Sequence, residues 1–257
     1  MIFKEWLRFI YGMAMGTSVP YIKPSNRFLW PTAFKKFDEN LSLFLGGSCI
    51  CAILHDETRC CVINTNSGSA ATQLHKYIES LRAPKLTLIN TSSANDFSGG
   101  NKLYPDTVIL EKKTDKELEI DLDFEKCIVV PIVNSASKCD FAIYLVKRKI
   151  LFLGPLFYNH IHPILRPLEG MNVSNWIQNL EALLLRFQPE MIVPAEGEPA
   201  GARELGEFIS YLRALSSPSV EFSECRKTYD WMEIPGQTSL EENFDLIREN
   251  IRSFAKF

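Results

Sequence analysis

The sequence predicts an α/β fold in which stacked β-sheets carry helices on their outer faces. Two observations predict it. The chain contains two hairpin-rich β halves, and each half is followed by amphipathic helices, an order that lets one face of each sheet bury against the other. With 257 residues, of which 46% are hydrophobic and 23% charged, the chain is long enough for such a core without a disulfide or structural zinc.

The first β half opens at residues 41–54, where small and large apolar residues alternate around Gly46-Gly47. His55-Asp56-Glu57-Thr58 reads as a turn, and residues 59–65 as the returning strand of a hairpin. Residues 69–82 predict a helix with Leu74, Ile78 and Leu81 on one face. A short buried strand follows at 85–90. Further strands at 107–110 and 127–133 flank a charged, hairpin-like stretch at 111–126.

The second half repeats the alternation. Strands at 141–146 and 149–153 are joined by the tight Lys147-Arg148 turn. Residues 172–187 form an amphipathic helix with Val173, Ile177, Leu180, Leu184 and Phe187 at helical spacing. Met191–Pro194 is a last buried strand, and residues 201–215 a second amphipathic helix. After the linker 216–219, a tail helix starts near Thr238 or Ser239, with Glu242 placed for a capping box. Its stripe of Leu240, Phe244, Ile247, Ile251 and Phe254 must bury on the body or on a partner, and is one candidate docking surface. The segment around Trp6, Phe9 and Tyr11 is the other.

Composition excludes several classes. Twenty-eight basic against 31 acidic residues, a net charge of −3, give no basic face for nucleic acid. Thirteen Gly and 14 Pro amid dense apolar content fit neither a disordered nor a collagen-like chain. Seven cysteines, an odd number without CxxC or zinc-finger spacing, predict free thiols and a reducing, cytoplasmic setting. No stretch approaches the roughly 20 apolar residues that span a bilayer. The apolar residues between Met1 and Val19 are interrupted by Gly12, Gly16, Thr17 and Ser18 and lack a clean cleavage site, so secretion is not expected. Neither G-x-G-x-x-G nor a Walker loop is present, which leaves a nucleotide fold without a phosphate cradle.

Five stretches carry a more specific signal. Residues 88–101, Leu-Ile-Asn-Thr-Ser-Ser-Ala-Asn-Asp-Phe-Ser-Gly-Gly-Asn, resemble the segment V-L-N-T-H-x-H-x-D-H-x-G-G-N of the metallo-β-lactamase superfamily. In the same order, Val62-Ile63-Asn64-Thr65-Asn66 is similar to that family's I-D-T-G strand end. Ser135-Ala136-Ser137-Lys138-Cys139-Asp140 resembles A-H-T-x-G-D, Ile150–Gly154 with Pro155 resembles V-L-F-x-G-D, and Val193-Pro194-Ala195-Glu196-Gly197 resembles V-P-G-H-G. The resemblance covers roughly residues 36–215, between extensions at 1–35 and 216–257. It implies an αββα sandwich of two mixed β-sheets packed face to face with helices outside.

The departures from the family pattern matter as much. Family members hold one or two zinc or iron ions, whose bound water becomes hydroxide near neutral pH. Here the corresponding positions carry Ser92, Ala94, Asp96, Phe97, Ala136, Pro155 and Glu196. Only Asp96 survives, four of the seven have no side-chain donor, and Asn64 replaces a bracing aspartate. A transition metal prefers imidazole or thiolate, which this set does not offer. The resemblance therefore implies a degenerate, metal-free member without hydrolytic activity or cofactor. It is expected to act by binding, as an accessory subunit or a homodimer.

Two other readings stay open. Asp96 and Glu196, facing each other across the old metal cavity, would form a carboxylate pair for acid–base chemistry, or covalent chemistry would use Cys139 with His160. The bland alternative has Asp96 bracing the Gly99-Gly100 loop and Glu196 in solvent. In the third reading Ser92, Phe97, Ser137, Cys139, Pro155 and Tyr158 line a pocket for a small apolar ligand. Equally, Phe97, Pro155 and Tyr158 simply fill the space that metals leave. Of the remaining histidines, His55 lies in a turn, His75 on a helix surface, and His162 anchors its loop.

Overall fold

The computed structural model describes residues 32–105, 107–110, 116–233 and 239–254. Six strands build the first sheet in chain order: β1 (Ala33–Lys36), β2 (Leu41–Leu45), β3 (Cys51–His55), β4 (Arg59–Ile63), β5 (Lys85–Ile89) and β6 (Val108–Leu110). They run antiparallel as far as β4 and parallel from β4 to β6. Five strands build the second sheet, again side by side in chain order: β7 (Leu118–Asp121), β8 (Lys126–Val133), β9 (Cys139–Leu145), β10 (Ile150–Gly154) and β11 (Met191–Pro194). Only β10 and β11 are parallel. Both sheets are therefore mixed, as expected.

The strands are apolar on both faces because each face has a partner. Leu41, Leu43, Ala52, Leu54, Cys61 and Ile63 of the first sheet pack with Cys127, Val129, Ile143, Leu145, Ile150 and Phe152 of the second. The alternate residues Cys51, Ile53, Cys60, Val62, Leu151 and Leu153 join a cluster that contains the helices. These are α1 (Gly68–Leu81), α2 (Asn95–Ser98), α3 (Val173–Phe187), α4 (Ala202–Ser216), α5 (Phe222–Thr228) and α6 (Leu240–Phe254). Trp176 of α3 is fully buried and donates its indole N–H to the carbonyl of Leu156 at 2.8 Å. The Asn172 side chain caps α3 by accepting from the Asn175 N–H.

Three expectations change. Residues 41–54 form two strands, because Gly46 and Gly47 both take positive φ (93° and 69°) and turn the chain. A Cβ on Gly47 would lie 2.3 Å from Asn66 Oδ1, so only glycine fits there. Strand β1, helices α2 and α5, and the pairing of β7 with β8 add elements that the periodicity did not single out.

The tail helix is the third change. Its stripe is not a free surface: Leu240, Phe244 and Ile247 are buried, and α6 packs against α3, α4 and α5. Ser239 Oγ accepts from the Glu242 N–H at its start, giving one half of the expected capping box. The Trp6, Phe9 and Tyr11 segment and the side chain of Phe254 lie outside the described residues. No helix among the described residues is long and apolar enough to cross a membrane.

Candidate functional site

The ends of β4, β5, β10 and β11 and the turn between β8 and β9 converge at one edge of the sandwich, the edge at which parallel strands of α/β sheets end and sites form. Buried amides build its floor. Asn64, at φ 63°, accepts from the Thr91 N–H and Oγ1 at 2.8 and 2.9 Å and donates to the carbonyl of Ile50. Asn66 accepts from the Ser48 and Ser67 N–H groups and donates to the carbonyls of Gly46 and Cys49. Asn64 thus ties the end of β5 to the turn before β3 through Thr91 and Ile50.

Above this floor lies a cluster of charge. Asp96 opens α2 and is buried, and its partner is Arg166, with Nη2 to Oδ2 at 3.4 Å. Arg166 also reaches Glu169 through Nη1 at 3.3 Å. Asp140 is fully buried at the start of β9 and accepts from the Ser137 N–H at 3.0 Å. Burial pushes its carboxyl up to about 6, against the lowering pull of the Ser92 and Ser137 hydroxyls and of Arg166. Tyr158, also buried, has its phenol raised by burial first, then by Glu196, with Asp96 and Asp140 adding to it and Arg166 opposing. Those four charged groups therefore all act on one hydroxyl.

The sequence-predicted residues fall into two groups. Ser92, Ser137 and Cys139 come together on the wall of a cleft of about 630 Å³, beside Asn90, Ser93, Lys138, Phe141 and Glu169. Phe97, Pro155 and Tyr158 are buried and do not line it, and Phe97 and Tyr158 belong to the hydrophobic core. Asp96 and Glu196 are both at the site, but Asp96 is held by Arg166, and Glu196 is buried and not solvated. His160 turns outward and pairs with Glu207 of α4 at 3.0 Å, next to Trp231, and its contacts include neither Cys139 nor Asp96. Burial and the charge of Asp140 push the Cys139 thiol up, away from a reactive thiolate.

His162 anchors its loop from within the core. Its Nδ1 faces the Tyr211 hydroxyl at 3.1 Å, and that oxygen also receives the Asn243 amide N–H. Tyr211 thus donates to an unprotonated Nδ1, and burial holds the imidazole down at about 4 despite Asp230.

Sequence reasoning missed Arg166 and gave no role to Asp140. The G-D at the end of the A-H-T-x-G-D pattern marks Asp140. Nothing local marks Arg166, whose partner is 70 residues away. Among the described residues, no three His, Cys, Asp or Glu side chains converge as a metal-binding group. The donor set agrees with that: Asp96 is engaged by the Arg166 guanidinium, Asp140 accepts from the Ser137 N–H, and Ala94, Phe97, Ala136 and Pro155 offer no side-chain donor. The residues present do not fit the zinc or iron centre that the fold commonly carries.

No protein-family model matches the chain, and comparison with curated proteins finds no match. Solved structures do match. A metallo-β-lactamase from Pontibacter korlensis superposes with a TM-score of 0.60 at 15% identity, over 71% of this chain and 99% of that one. The metallo-β-lactamase FIM-1 of Pseudomonas aeruginosa, in its mono-zinc form, gives 0.57 at 15%, over 74% and 97%. The sec-alkylsulfatase Pisa1 of a Pseudomonas species gives 0.62 at 12%, over 85% and 50%. With its two mixed sheets, its outer helices and the site at their common edge, the chain has the metallo-β-lactamase fold in a degenerate form, in which Asp96 alone is retained among the positions of the metal ligands.

Proposed function

We propose that this protein acts by binding, without a metal, and that its ligand sits in the cleft formed by Ser92, Ser93, Ser137, Lys138, Cys139, Phe141 and Glu169. The observation that carries this reading is that Arg166 pairs with Asp96, the one retained ligand position, while a cleft of about 630 Å³ lined by Glu169, the second partner of Arg166, stays open. The cleft is large enough for a drug-sized molecule. Its three hydroxyls and Lys138 suit polar groups, and Phe141 and Val133 suit an apolar portion. An accessory-subunit or homodimer role loses one of its two suspected surfaces, since the α6 stripe is buried on the body. Metal-independent catalysis has weaker support, since Cys139 and His160 are not paired and the thiol is raised.

A thermal-shift screen tests it, because a ligand that binds only the folded state raises Tm in proportion to RT ln(1 + [L]/Kd). The expected result is a shift by amphipathic small molecules that is lost in Ser93→Trp, an exposed position that fills the cleft without disturbing the core. Zinc and chelators should leave Tm unchanged. A rise with stoichiometric zinc, or a fall with chelator, would overturn the proposal.

A further inference from the structure

We infer that Arg166 is the protein's own replacement for the metal cation, and that the tail helix α6 exists in part to hold it there. The site gathers three buried carboxylates: Asp96 at the one retained ligand position, Glu196 in place of a ligand histidine, and the deeply buried Asp140. Buried carboxylates without a counter-charge are costly, and removing a cation from such a site requires either their loss or a substitute. The guanidinium of Arg166 is the substitute. It lies 3.4 Å from Asp96 Oδ2, is only 19% exposed, and its charge opposes burial at Asp140 and the carboxylates that act on Tyr158.

The segment that carries Arg166 is fastened at both ends by α6. The Asn243 amide donates to the carbonyl of Pro163 at 3.1 Å, just before Arg166, and the Asn250 amide donates to the carbonyl of Met171 at 2.9 Å, just after it. Both asparagines are buried, on the same helix, and so fix the segment at two points 8 residues apart in sequence. Gly170, at φ 86°, lets the segment pass tightly over Lys138, where a Cβ would lie 3.2 Å from the Lys138 backbone. Glu169, the second partner of Arg166, lines the cleft, so the same fastening sets the cleft wall. Metal-bearing relatives fix their loops through coordination bonds, and here a guanidinium and two amides do so.

A double-mutant cycle tests this directly, with Arg166→Met, Asp96→Asn and the double variant compared by thermal melting. Arg166→Met is expected to lower Tm by about 5 °C, because it leaves a buried carboxylate uncompensated. In the Asp96→Asn background the same change should cost clearly less, since the charge it balances has been removed. Millimolar guanidinium, added as a free ion, should restore most of the Tm that Arg166→Ala loses and should leave the wild type unchanged. If Arg166→Met does not fold, Arg166→Gln removes the charge while keeping a polar side chain and serves in the same cycle. Asn243→Ala and Asn250→Ala should each reduce the coupling between Arg166 and Asp96. Additive losses with no guanidinium rescue would overturn the inference. This inference rests on the metal-free reading above, but its failure is distinguishable: wild type purified with stoichiometric metal defeats both, whereas metal-free wild type with additive losses defeats only this one.

Discussion

Replacing Asp140 by Asn should stabilise the protein at neutral pH and expose a hidden acid sensitivity. Asp140 is fully buried, and its carboxyl is raised from 3.8 to about 6, chiefly by desolvation. A group raised in the folded state holds its proton there between the two values, so its contribution is greatest below 3.8 and is lost as pH rises through 6. Two units correspond to about 3 kcal/mol that charged Asp140 costs above pH 6. His162 has the opposite sign. It is lowered from 6.5 to about 4, so its contribution is complete above 6.5 and is lost as pH falls towards 4, again by about 3 kcal/mol. Between pH 4 and 6 the two slopes offset each other, and the wild type should melt at a nearly constant temperature.

Asn keeps an acceptor for the Ser137 N–H and carries no charge. Asp140→Asn should therefore raise Tm at pH 7.5 by roughly 6–12 °C, taking 2–4 °C per kcal/mol for a chain of this size. That gain should fall away from pH 6 towards 3.8 as wild-type Asp140 takes up its proton, while the variant's own Tm falls between 6.5 and 4 with the His162 term alone. Thermal melts of both proteins at half-unit steps from pH 4 to 8 are the assay. A variant less stable than wild type at pH 7.5 would show that charged Asp140 is not costly, and one whose Tm stays flat from 6.5 to 4 would show that His162 is not held neutral by the fold.

Three further outcomes follow from the geometry. Gly154→Ala should destabilise by several kcal/mol in chemical denaturation, because φ is +50° and the added Cβ meets Thr91 Oγ1 at 2.1 Å; a midpoint equal to wild type would show that the β10 end is not so confined. Asn66→Ala should cost about 3 kcal/mol or more, since it strands the Ser48 and Ser67 N–H groups and the carbonyls of Gly46 and Cys49, read as a fall in denaturation midpoint. Ile247→Ala should cost about 3 kcal/mol in the isolated monomer, as for a fully buried core residue; no loss would mean that the tail helix packs elsewhere.

Much of the fold was legible because its signals are local. Alternation and turn chemistry marked β4, β5, β9, β10 and β11, and helical spacing marked α1, α3 and α4. The break at Gly46-Gly47 was visible in composition but not in consequence, since the positive φ at Gly47 is enforced by Asn66, 19 residues later. The tail stripe showed that it must be buried, and only the tertiary packing shows where. Within the site, Ser92, Ser137, Cys139, Asp96 and Glu196 were legible through the family's motif frame. Arg166 was not, because a guanidinium in a loop is an ordinary surface residue until a distant carboxylate meets it. Asp140 stood within a quoted motif, but its role depends on burial, which spacing does not report.

If protein groups fill the metal site, native mass spectrometry of untagged protein from its own host should return the bare chain mass, alone or with an organic ligand that is lost on mild activation. Stoichiometric excess mass matching zinc, iron or manganese, removed by chelator, would contradict it.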